Sequence, residues 1–79
     1  MLVSVNGNVL EMSVIKTRGP GAKFGAQMRV GGHLRKFLNI SGNTEEEAQM
    51  QLEYQVSLLK KGRKKIVTRC NGRPAFANA

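Results

Sequence analysis

Lys23-Phe24-Gly25-Ala26-Gln27-Met28-Arg29-Val30, then Gly31-Gly32, then His33-Leu34-Arg35-Lys36-Phe37-Leu38-Asn39-Ile40 is the stretch that decides the fold. Its first half alternates strictly. Phe24, Ala26, Met28 and Val30 fall on one side of an extended chain, and Lys23, Gly25, Gln27 and Arg29 on the other. In the second half Leu34, Leu38 and Ile40 share a side, and His33, Arg35, Phe37 and Asn39 share the opposite one. A period of two marks a strand with one buried face. The paired glycines between the two runs mark a tight turn. The unit therefore reads as an antiparallel hairpin with one apolar and one basic face.

Working outward, Val9 to Thr17 is also β-type sequence, centred on Val14 and Ile15, and Arg18-Gly19-Pro20-Gly21 turns it into the hairpin. Before it, Leu2-Val3-Ser4-Val5, Asn6-Gly7 and Asn8-Val9-Leu10 form a further hairpin, since Asn-Gly suits the positive φ angles of a two-residue turn. After Ser41-Gly42-Asn43, Thr44 to Lys61 reads as a helix. Thr44 is its N-cap, and Glu47 three residues on completes a capping box. Ala48, Leu52, Val56 and Leu59 form its apolar stripe, and Gly62 ends it. Arg63 to Cys70 reads as a possible short final strand around Ile66 and Val67, and Ala75 to Ala79 as a flexible tail. The expected fold is α+β: a three-stranded antiparallel sheet packed on one C-terminal helix, with an extra N-terminal hairpin. It forms one domain over residues 1–74, with its core in 10–62.

The chain of 79 residues carries 13 Lys+Arg against 5 Asp+Glu, a formal net charge of +8. A body this small buries only about 60% of its unfolded surface, which disfavours a deep catalytic pocket. The charges are segregated. No acid lies between Met12 and Thr44, and four of the five acids lie from Glu45 to Glu53. A second basic cluster follows at Lys60, Lys61, Arg63, Lys64, Lys65, Arg69 and Arg73. Such segregation points to a polyanionic partner, most often nucleic acid. With one Cys and one His, neither an internal disulfide nor a one-chain zinc site is expected. No Asp is present, and helix capping accounts for the glutamates, so no enzymatic role and no cofactor are expected. Cys70 reads as a small buried hydrophobe, and Met12, Met28 and Met50 as fillers of core gaps. No membrane span or secretory leader is apparent, and a reducing cytoplasm is the expected compartment, with nucleoid association if DNA is bound.

The open sheet face is the expected binding surface. Gln27, Arg29, Arg35 and Phe37 point from it, with Lys16 and Arg18 beside them and Lys23 placed for phosphate. Arginine pairs with guanine and glutamine with adenine through two hydrogen bonds each, and an aromatic ring can contact thymine methyls. Lys60, Lys61, Arg63, Lys64 and Lys65 would form a separate phosphate-contacting extension. Met50, Tyr54 and Leu58 lie on the helix away from the buried stripe and mark a possible contact with another protein or a second copy.

Several short motifs carry a resemblance. Ser13-Val14-Ile15-Lys16-Thr17-Arg18, a glycine turn, Lys23 to Val30, Gly31-Gly32, Leu34-Arg35-Lys36-Phe37-Leu38 and Thr44-Glu45-Glu46-Glu47-Ala48 resemble the APETALA-type (ethylene-response-factor) DNA-binding domain. Similar domains are appended to phage homing endonucleases and form the arm-site-binding domain of tyrosine recombinases. The resemblance covers about Ser13 to Gly62. It implies three strands and a helix, with DNA contacts at Lys16, Arg18, Gln27, Arg29, Arg35 and Phe37. The family's tryptophans are replaced by Phe24 and Phe37, the Asn39–Asn43 stretch is longer than usual, and Lys36 stands where an apolar residue belongs. The function expected is that of a small duplex-DNA-binding protein, a recombination or transcription accessory factor of a phage or mobile element. The alternatives are a phage-type inhibitor that binds a host protein or nucleoprotein complex, and an RNA-binding protein.

Overall fold

A single uninterrupted strand organises the molecule. The computed structural model describes residues 1–5, 7–17, 21, 23–30 and 36–79. In it β2 (Asn8–Lys16) pairs on one side with β1 (Leu2–Val5) and on the other with β3 (Phe24–Val30), both antiparallel. Strand β4 (Lys36–Gly42) completes a sheet of order β1-β2-β3-β4. The N-terminal hairpin is thus not an addition to a three-stranded sheet; it supplies the first strand of a four-stranded one. The reason lies in β2, whose nine residues contain neither glycine nor proline and so run through from one hairpin into the next.

The alternation expected for β3 and β4 holds for the apolar set except that Phe24 is half-buried, and Lys36, on the buried side, is exposed at the start of β4. Ala26, Met28, Leu38 and Ile40 are buried, whereas Phe37 and Asn39 are exposed. The register slips between β3 and β4. Gln27 lies opposite Phe37 but Gly25 opposite Ser41, so β4 advances four residues while β3 advances two. Because the surplus is even, the apolar set of β4 stays on the buried side.

Helix α1 (Glu45–Lys60) covers that side with Ala48, Leu52, Val56 and Leu59, all buried. Its start is capped as the sequence implies, with the Glu47 amide donating to Thr44 Oγ1 at 3.1 Å. The return bond differs by one residue: Glu47 Oε2 accepts from the amide of Asn43, at 2.8 Å. Three glutamates in the first turn suit the positive end of the helix dipole. At the far end Gly62 adopts φ +78°, the Gly62 amide donates to Leu59 O and the Arg63 amide to Leu58 O. This is a Schellman cap, which requires a residue comfortable at positive φ.

The helix is not the C-terminal element. Two strands follow it, β5 (Lys64–Thr68) and β6 (Pro74–Asn78), paired antiparallel as a second sheet. The stretch 75–79 therefore is no loose tail. Ala75 and Phe76 are buried, and Phe76 joins the core cluster with Val3, Leu10, Met12, Leu38, Leu52 and Val56. Pro74 stands at the first position of β6, where a missing N–H is tolerated. Five residues with one large side chain, Pro-Ala-Phe-Ala-Asn, are too short for periodicity to declare a strand. What orders them is tertiary. The side-chain amide of Asn39 on β4 donates to Phe76 O (3.2 Å) and accepts from Phe76 N (2.9 Å), standing in for a neighbouring strand.

Candidate nucleic-acid interface

Cross-strand register ties the outward residues of the four-stranded sheet to one another. Glu11 lies opposite Arg29, and the Arg29 guanidinium donates to Glu11 Oε2 at 2.8 Å. Ser13 lies opposite Gln27, whose amide donates to Ser13 Oγ at 3.2 Å. Phe37 sits beside Gln27 on β4 and is 47% exposed. Two further exposed apolar residues, Leu2 and Val9, share this face by register. The described part of the face is accordingly mixed rather than basic, since its one described cation on β3 is held by a carboxylate. Lys23, exposed, precedes β3; its backbone N–H and C=O both bond to Thr17 Oγ1, at 2.9 and 2.6 Å.

Lys16 does not join that group. It lies opposite Phe24, on the side of the sheet that carries Ala26 and Met28, and is exposed at the end of β2. In an antiparallel pair directly opposed residues share a face, so Lys16 and Gln27 project in opposite senses. Arg18 and Arg35 lie outside the described residues.

The basic stretch after the helix is divided by the alternation of β5. Lys60, Lys61, Arg63 and Lys65 are exposed. Lys64 is half-buried, and its ammonium donates to Asn78 Oδ1 at 2.8 Å. The ladder extends beyond the strand ends: the Ala79 amide donates to Arg63 O, and the Arg69 amide to Arg73 O. Arg63, Lys65, Val67, Arg69, Arg73, Ala75 and Ala77 therefore lie on one face of the β5–β6 ribbon. Ile66 and Phe76, directly opposed, lie on the other face and pack into the core.

At the ribbon tip the structure brings Phe37 together with Arg69 and Arg73, two members of the second basic cluster that sequence reasoning assigned no site. Arg69 and Arg73 are brought side by side by the Cys70-Asn71-Gly72 turn, in which Gly72 takes φ +79° and its amide donates to Arg69 O. The Arg73 guanidinium lies over the Phe37 ring, 5.7 Å from its centre. Lys36 reaches across from β4 and donates to Gly72 O at 3.2 Å. Phe37, Asn39, Arg69, Asn71 and Arg73 line a shallow groove there. One signal was available: arginines placed symmetrically about an Asn-Gly turn meet if that turn closes a hairpin. That Lys36 and Phe37 would be their neighbours depends on how the second sheet docks. Cys70 sits exposed in this turn, contrary to the expectation of a buried thiol.

On the helix, Met50 and Tyr54 are 69% and 59% exposed and Leu58 is half-buried, so they form an outward apolar strip. Met50 is therefore not a core gap-filler, unlike Met12 and Met28, which are buried. No helix among the described residues is long and apolar enough to cross a membrane. Among the described residues Arg29–Glu11 is the only ion pair, so the other described cations have no carboxylate within ion-pair distance. Comparison of the chain with family models, with curated proteins and with solved structures yields no match.

Proposed function

We propose that this chain is a small, non-enzymatic DNA-binding protein whose ligand is the duplex. The observation that carries the reading is the separation of charge on the folded surface. Four of the five acids stand on α1, the fifth is held by Arg29, and from Lys60 to Arg73 the chain carries seven cations and no acid, none of them in an ion pair among the described residues. On duplex DNA, lysines and arginines of such a surface take the place of condensed counterions, which are released. The sheet face adds Gln27, Arg29 and Phe37, with Lys23 at its end and Arg18 and Arg35 as further candidates, and Lys16 contributes from the opposite side. The resemblance to APETALA-type domains supports the same reading, with a role in recombination or transcription for a mobile element. Binding of mixed-sequence duplex in low salt, measured by fluorescence anisotropy, tests it. Affinity that falls steeply with added salt is expected, and no binding at low salt would overturn it.

The outward strip of Met50 and Tyr54 favours a second reading, in which the chain docks on a host protein. Single substitutions Met50→Asp and Tyr54→Asp would then abolish partner capture while leaving DNA affinity unchanged. Survival of capture in both variants would remove this reading.

A further inference from the structure

Resting on the duplex-DNA reading above, we propose that the element that enters the DNA is the C-terminal ribbon β5–β6 rather than the four-stranded sheet. A two-stranded antiparallel ribbon is one of the two elements that the B-form major groove admits. Four features of this ribbon suit it to that position.

The first is its charge. The outward face carries Arg63, Lys65, Arg69 and Arg73, and the sequence from Tyr54 to Ala79 contains no acid. The sheet face, by contrast, has its β3 arginine occupied by Glu11. The second is its shape. Between these cations the same face carries only Val67 and Ala77, which are half-buried, and Ala75, which is buried, so the ribbon sets no large side chain of its own between them. The third is its reach. From Arg63 to Arg69 the ribbon extends roughly 20 Å at about 3.4 Å per residue, enough to follow several base pairs. The fourth is its rigidity. It is fastened by Ile66 and Phe76 in the core, by the paired bonds of Asn39 to Phe76, by Lys36 to Gly72 O and by Arg73 against Phe37. A fastened ribbon loses little conformational freedom on binding. Arg63 and Lys65 would meet phosphates. Arg69 and Arg73, at the tip, would reach base edges, where a guanidinium pairs with guanine. A-form RNA does not offer this site, because its major groove is too narrow and deep for side chains to read.

The protein carries its own reporter of tip occupancy. Its single cysteine, Cys70, is exposed in the tip turn. The test measures the rate at which Cys70 of the full chain reacts with a thiol reagent, alone and with saturating mixed-sequence duplex, while anisotropy reports binding. Protection of Cys70 by several-fold on binding is expected. Replacement of Arg63 and Lys65 together by alanine should flatten the salt slope by about 1.8, at about 0.9 per phosphate contact. The pair Met50→Ala and Tyr54→Ala on the helix should leave both readouts close to those of the parent, and the sheet-face pair Gln27→Ala and Arg29→Ala should cost less affinity than the ribbon pair. Binding without Cys70 protection, or loss of binding in the sheet-face pair alone, would overturn the ribbon assignment and leave the DNA function standing. Tighter binding of an RNA duplex than a DNA duplex would overturn both. So would failure of the parent chain to bind duplex at low salt. Circular dichroism of each variant confirms that its fold is retained.

Discussion

Thr44 shows how one side chain can place an element boundary. Its hydroxyl accepts from the Glu47 amide, one of four that the first turn leaves without a helical partner. Thr44→Ala should lower stability by about 1 kcal/mol in urea denaturation, the usual cost of losing such a cap. Gly42 limits the same junction by space instead. A Cβ there would stand 2.7 Å from the backbone nitrogen of Ala48 and 2.9 Å from Glu47 Cβ. Backbone cannot swing aside as a long side chain can, so Gly42→Ala should cost about 1–3 kcal/mol by the same measurement. Arg29 illustrates the opposite case. Its bond to Glu11 joins two side chains that are 34% and 47% exposed, and exposed pairs contribute only about 0–1 kcal/mol. Arg29→Ala should therefore leave the melting transition nearly unchanged, so any loss of DNA affinity in that variant reports on contact rather than on folding.

At the scale of elements, the β5–β6 ribbon depends on a contact from outside itself. A lone two-stranded hairpin is marginal in water. This one is held by Phe76 in the core and by the side chain of Asn39, which occupies both backbone groups of Phe76. Asn39→Ala leaves that N–H and C=O unpaired, a cost of about 1–3 kcal/mol for a buried group and less where water can enter. Amide hydrogen exchange should quicken first across 64–78, while α1 keeps its protection. Uniform acceleration through the whole molecule would show instead that the ribbon and the main sheet unfold as one unit. The same bonds bear on function, since a ribbon released from β4 no longer presents Arg73 beside Phe37.

For the whole molecule, charge is the property that governs association. A net charge of +8 on a chain of 79 residues favours encounter with any polyanion, and salt screens it. If some six cations meet phosphates, log affinity should fall with log salt at a slope of roughly −5. A titration from low to moderate salt reads this directly, and a flat response would contradict the electrostatic reading. Lys64 provides a finer comparison. Its ammonium is engaged by Asn78, so Lys64→Ala should change the slope less than removal of either exposed neighbour, Arg63 or Lys65.

Sequence periodicity by itself determined the strands around Ala26 and Leu38, the buried stripe of α1 and both helix caps. Those features rest on neighbours within a few residues, where the patterns of two and 3.6 and the capping groups act. The charge segregation was legible for the same reason. Only tertiary structure decided that the N-terminal hairpin belongs to the main sheet, because pairing register joins residues far apart in the chain. It alone set Glu11 against Arg29 and turned Lys16 away from Gln27. It also made a strand of 74–78, where a short, weakly patterned segment gains order from Phe76 entering a core built elsewhere and from Asn39 satisfying its backbone. The juxtaposition of Lys36 and Phe37 with Arg69 and Arg73 follows from that docking. Local sequence holds no record of it, because the bonds that create it span more than 30 residues.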